Sequence, residues 1–265
     1  MSYEIKTVQL AAYSMNYFRF GTGEKTMVIL PGLSVQSVMN SAQAIAQAYD
    51  IFRNEFTVYV FDRRNELPDT YGIHQMAEDT AQAMKMLGLE NTYLFGASQG
   101  GIMSLLIAAH HPELVKKIVV GSAACRINNF MKKAVVHWIE LARKGDAVSL
   151  YLDFGKKVYP QAAFKSFRND LIQAADSVTS EELARFLILA SALADLDIRE
   201  DIRNISCPIL ILGSLDDGVL GSDAHRELSD YLNGADVYAY CGFGHAAYDL
   251  AFDYKERIYR FFKGE

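Results

Sequence analysis

The segment Gly96-Ala97-Ser98-Gln99-Gly100 sets a serine among small residues, between an apolar run at 93–95 and a small-residue, apolar stretch from about 101 to 110. A strand-to-helix reversal in so short a space strains the backbone of the central residue, and only small neighbours let the two arms pass closely. The hydroxyl then stands at a helix N-terminus, where the dipole favours developing negative charge. A serine hydroxyl is a weak nucleophile; it needs an adjacent base, itself oriented by an acid. Two later segments offer them. Gly213-Ser214-Leu215-Asp216 follows the run PILIL at 208–212, with Asp217 beside it, and Gly242-Phe243-Gly244-His245 follows a short strand-like run at 235–240. The glycines around His245 allow a tight turn that aims an imidazole. Together these residue types could perform nucleophilic attack on a carbonyl.

These side chains meet only if the fold brings their loops together. Residues 3–10 and 13–20 read as two strands, and the buried-strand patterns at 26–30, 58–61, 93–95 and 118–120 follow. Helical patterns at 36–50, 73–87 and 101–110 separate them. Ile73, Met76, Ala77, Thr80, Met84 and Leu87 recur at helical spacing, and Gly88 closes that helix. Strands alternating with helices imply parallel crossovers and a doubly wound sheet. The alternation stops near Ser122. Helical stretches near 129–143, 147–158, 161–175 and 181–194 take its place, and the strand pattern resumes at 208–212. A helix near 222–232, a strand at 235–240 and a last helix from about 246 to 262 complete the chain. The layout predicts an α/β core, 1–124 and 205–265, interrupted by a helical insert at 125–204. Ligands in open α/β sheets gather at the C-terminal strand ends, where all three candidate loops fall.

Composition narrows the function class. The chain has 265 residues, 51% hydrophobic and 22% charged, enough to bury a large core. Its 26 Lys+Arg against 32 Asp+Glu leave −6, with only short scattered lysine pairs, which argues against nucleic acid or an anionic membrane as partner. No apolar run reaches membrane-spanning length, and the first residues lack a signal-peptide layout. Cys125, Cys207 and Cys241 form no metal or redox spacing. The expectation is a cytoplasmic protein acting on a small molecule, with no cofactor or metal and with a homo-oligomer left open. His74, His110, His111, His137 and His225 lack ligand spacing.

The three motifs together resemble the α/β-hydrolase superfamily over nearly the whole chain, with 125–204 in the place of that family's helical cap. The resemblance implies Ser98 as nucleophile, His245 as base and then acid, and Asp216 as orienting carboxylate, since the family spacing from Gly213 selects it over Asp217. It also implies an oxyanion hole from two backbone N–H groups. One is that of Gln99; the other is that of Leu33, in Leu30-Pro31-Gly32-Leu33, which resembles the family's His-Gly-x turn with proline replacing histidine. The family's D-x-R-G-x-G-x-S turn is absent: Asp62-Arg63-Arg64-Asn65-Glu66 carries no glycine. Arg63, Arg64 and Glu66 form either a salt-bridged loop or a polar rim of the pocket. The implied activity is hydrolysis of an ester-like bond through an acyl-enzyme, the aromatic insert roofing an apolar pocket. The same triad serves C–C and thioester hydrolases and acyltransferases, and some members of the fold bind ligands without turnover.

Overall fold

The computed structural model describes residues 2–265. Strands β1 (Glu4–Gln9) and β2 (Ser14–Phe20) pair antiparallel at one edge. Strands β3 (Lys25–Leu30), β4 (Phe56–Arg64), β5 (Thr92–Ala97), β6 (Val115–Gly121), β7 (Ile209–Ser214) and β8 (Asp236–Tyr240) extend the same eight-stranded sheet. The order is β1-β2-β4-β3-β5-β6-β7-β8, and every pairing from β4 to β8 is parallel. All residues of β5 and β7 are buried. Both therefore read as unbroken apolar runs rather than alternating ones, as strands covered on both faces must.

Helices α1 (Ala42–Ala48), α2 (Ile73–Met86) and α3 (Gln99–His110) lie in the first part of the chain. Helix α3 is buried from Gln99 to Ala108, which explains a sequence apolar on every side rather than striped. Four helices then sit between β6 and β7: α4 (Asn129–Arg143), α5 (Ala147–Val158), α6 (Gln161–Asp176) and α7 (Ser180–Ser191). Their starts are written locally. The Asn128 side chain accepts from Met131 N at 2.8 Å and Asp146 from Ser149 N at 2.9 Å, while Thr179 and Glu182 form a reciprocal capping box. Trp138 and Phe186 of these helices belong to the same apolar cluster as Met76, Leu94 and Leu106 of the α/β part. A second cluster, with Phe18, Phe52, Phe95, Tyr254 and Phe262, fills the other face of the sheet.

The chain ends with α8 (Ala224–Ser229), α9 (Ala247–Leu250) and α10 (Tyr254–Lys263). The single last helix expected over 246–262 is in fact two. Ala251 turns to an extended ψ of 124°, and the chain restarts at Asp253. That break lets α9 stay beside the histidine loop while α10 buries Tyr254, Ile258 and Phe262 against the sheet.

Candidate active site

Ser98 sits between β5 and α3 with φ +53° and ψ −119°, a strained conformation for a residue with a side chain. Its glycine neighbours are obligatory for reasons of space. A Cβ on Gly100 would stand 1.9 Å from the Leu30 carbonyl oxygen, and one on Gly96 would stand 2.3 Å from that of Gly100. The turn after β3 comes just as close: a Cβ on Gly32 would approach the Ser98 Cβ to 3.2 Å. Gln99 directly follows the serine and Leu33 lines the same cavity; these are the two residues whose backbone N–H groups the family resemblance implies. Gln99 is buried, and its side chain bridges two parts of the fold. Its Oε1 accepts from Arg63 Nη2 at 3.0 Å, and its Nε2 donates to the Leu189 carbonyl of α7 at 2.8 Å.

His245 follows β8 in a loop held from several sides. Ser122 donates its hydroxyl to the His245 carbonyl at 2.8 Å, and Ala246 N donates to the Val158 carbonyl of α5 at 3.1 Å. Gly244 has φ +63°, and a Cβ there would come within 2.9 Å of that same carbonyl oxygen. The imidazole is 3% exposed, and its Nδ1 lies 2.8 Å from Asp217 Oδ2, itself on a residue 5% exposed. A carboxylate only accepts, so Nδ1 carries a hydrogen toward Asp217.

The carboxylate that touches the imidazole is thus one residue later than the one the family spacing selects. Asp216 does not reach the imidazole. It is exposed, and it accepts from Ser214 Oγ at 2.9 Å, Gly242 N at 3.0 Å and Gly244 N at 3.1 Å. Asp217 turns inward because its Oδ1 accepts from Val219 N and Leu220 N, both at 2.8 Å, which aims Oδ2 at the histidine. Asp216 ties down the loop that carries His245, and Asp217 touches the ring.

Ser98 and His245 line one cavity of about 510 Å³. Its walls come from residues 31–38, from Leu150, Tyr151, Phe154 and Tyr159 of the inserted segment, and from Tyr248 and Asp249 beyond the histidine. Of the aromatic residues of the insert, Tyr151, Phe154 and Tyr159 face this space, Trp138 and Phe186 are buried, and Phe130 is exposed. Arg63, Arg64 and Glu66 do not line it. Arg63 is buried beneath the turn after β3, where its Nη2 also donates to the Pro31 carbonyl at 2.8 Å. Burial pushes its guanidinium down to about 10, against the opposing pull of Asp62. Arg64 pairs with Asp79 at 3.3 Å over the rings of Tyr13 and Tyr71, and Glu66 accepts from Ser14 N at 3.0 Å. The end of β4 and the turn after it are thus held by an ion pair and hydrogen bonds away from the cavity. Asp249 was missed from sequence; its signal is a carboxylate four residues past the histidine. Among the described residues no group of His, Cys, Asp and Glu is arranged to hold a metal. Nor is any described helix long and apolar enough to cross a membrane.

Comparison with known proteins agrees with this architecture. The profile of the family described as "alpha/beta hydrolase fold" matches residues 25–147. MGS-M2, an alpha/beta hydrolase enzyme from a Medee basin deep-sea metagenome library, superposes with a TM-score of 0.85 at 21% identity, covering 98% of each chain. The chain has the α/β-hydrolase fold. Among its relatives, a RutD protein of Caulobacter sp. (strain K31), provisionally named a carbamate hydrolase, is 28% identical over 210 residues, 72% of this chain and 75% of that one. The enol-lactonase from Burkholderia xenovorans LB400 superposes with a TM-score of 0.82 at 18% identity, over 97% of this chain and all (100%) of its own.

Proposed function

We propose that this α/β-hydrolase cleaves an ester-like bond of a small to medium, largely apolar molecule through an acyl-enzyme. The observation that carries the reading is the 2.8 Å contact between His245 Nδ1 and Asp217, made beside a cavity that the histidine shares with Ser98 at its strained turn. The relatives named for carbamate and enol-lactone hydrolysis support a hydrolytic role.

Ser98 Oγ attacks the carbonyl carbon as its proton passes to His245 Nε2. Asp217 holds the ring so that Nε2 faces the serine, and its charge stabilises the imidazolium that forms. The oxygen of the tetrahedral intermediate takes hydrogen bonds from the backbone N–H groups of Leu33 and Gln99; losing one such donor typically costs about 3 kcal/mol in the barrier. The imidazolium returns the proton to the leaving group as its bond to carbon breaks. A water then repeats the sequence on the acyl-serine, releasing the acid and restoring Ser98. Segment 125–204 acts as the roof that keeps this exchange in a mostly apolar enclosure.

A fluorophosphonate probe tests the reading. It should label the wild-type protein and spare Ser98→Ala, with loss of p-nitrophenyl acetate hydrolysis in that variant. Folded wild-type protein that takes up no label would overturn the proposal and favour ligand binding without turnover.

A further inference from the structure

The cavity holds one charged group that acyl transfer does not use. Asp249 lies one turn beyond His245, on α9, and opens into the space lined by Ser98 and His245. Among the described residues it is the only carboxylate on that lining, and no lysine or arginine shares the wall with it. The side chain is exposed to water, and the protein packed around it raises the carboxyl, with Lys255, Tyr159 and His245 pulling the other way in that order. The Lys255 ammonium is already committed to backbone, donating to the Tyr248 carbonyl and, at 3.4 Å, to that of Asp249. Tyr159 has one hydrogen to give, whereas a carboxylate offers about four acceptor sites, so acceptor capacity remains for an occupant of the cavity.

The carboxylate is hydrated in the open cavity, and an apolar occupant would strip that water at a cost. Here the carboxylate also opposes the negative charge that an attacked carbonyl gathers nearby. Both penalties are relieved if what fills the cavity brings a positive charge. Val35, Ile45, Leu150, Phe154 and Leu171 can cover the methylenes of such a molecule, and the rings of Tyr151, Tyr159 and Tyr248 offer faces that attract a cation.

We propose that Asp249 determines specificity for a substrate carrying a protonated amine, its ammonium held by the Asp249 carboxylate and its ester-like carbonyl at Ser98. The carbonyl half of this statement rests on the proposed hydrolytic reading; the ammonium half does not. The same carboxylate repels substrates with a free carboxylate of their own.

Calorimetric titration with n-hexylammonium, n-hexanol and n-hexanoate reads the preference without turnover. The wild-type protein should bind the ammonium about tenfold or more tightly than the alcohol, the scale of a hydrogen bond to a charged partner, and bind the carboxylate most weakly. In Asp249→Asn and Asp249→Leu the ammonium-to-alcohol ratio should fall to within about threefold. A wild-type ratio already within that range, or a preference that persists in either folded variant, overturns the proposal. The wild-type comparison decides against it even if a variant does not fold. Ser98→Ala should keep the preference while losing fluorophosphonate labelling. Absent labelling of the wild type would therefore remove the hydrolytic reading alone.

Discussion

The two adjacent aspartates give the sharpest test of the site. In Asp217→Asn the new carbonyl oxygen keeps the hydrogen bonds from Val219 N and Leu220 N, since an amide nitrogen there would face two donors. That places the amide N–H₂ toward His245 Nδ1, which lies 2.8 Å from the present carboxylate. Nδ1 must then accept, so the ring proton moves to Nε2, the atom that has to take the serine's proton. The fold is unchanged while the tautomer is wrong, a fault that costs about 10⁴-fold in kcat in a protease triad, or about 5.5 kcal/mol of barrier. Asp216→Asn loses at least one of three hydrogen bonds that tie Ser214, Gly242 and Gly244. Its effect passes only through the placement of the histidine loop, on the order of 1–2 kcal/mol, or about 10-fold in rate. Initial rates of p-nitrophenyl acetate hydrolysis between about pH 7 and 8, near the range in which catalytic bases operate, with circular dichroism as a check on folding, separate the two. A larger loss in folded Asp216→Asn than in Asp217→Asn would refute the assignment.

Three further outcomes follow from the same packing. Gly100→Ala should fail to accumulate as folded protein, because its Cβ would meet the Leu30 backbone at 1.9 Å; a soluble variant with native circular dichroism would contradict that geometry. Gln99→Leu removes one hydrogen-bond partner from the buried Arg63 and leaves the Leu189 carbonyl without its donor, so the denaturation midpoint should drop by the equivalent of about 2–4 kcal/mol; no change in urea titration would argue against the link. Asp249→Asn should raise Tm at neutral pH and lose that advantage as pH falls toward about 4. Its folded carboxyl is raised, so the native state holds the proton more tightly and loses stability as pH rises through the folded value; a Tm difference independent of pH would count against it.

Much of the site was legible because its steric demands fall on neighbouring residues. The crossing at Ser98 excludes any Cβ at Gly96 and Gly100, so the glycines record it in one dimension. Helices α4, α5 and α7 announce themselves by capping side chains at Asn128, Asp146 and Thr179. The choice between Asp216 and Asp217 was not legible. Both are the same residue type, and the decision lies in which one caps the backbone of Val219 and Leu220, a matter of how the turn closes. The break at Ala251 carries no glycine or proline, so the last helix read as continuous; tertiary packing of α10 on the sheet imposes the interruption. Arg63 gave a charged signal at a position where its real partners are carbonyls of another loop, which spacing along the chain does not report.

The end of α5 presses on both catalytic-side turns: a Cβ on Gly218 would strike the Lys157 carbonyl at 2.3 Å, and Ala246 is bonded to Val158. A swing of the roof as one rigid piece would drag the imidazole and its carboxylate out of register with the hydroxyl. Traffic in and out is therefore cheapest where the attachments are weakest, along the rim at which Gln36 meets Tyr151 and Ser177 at 3.4 Å.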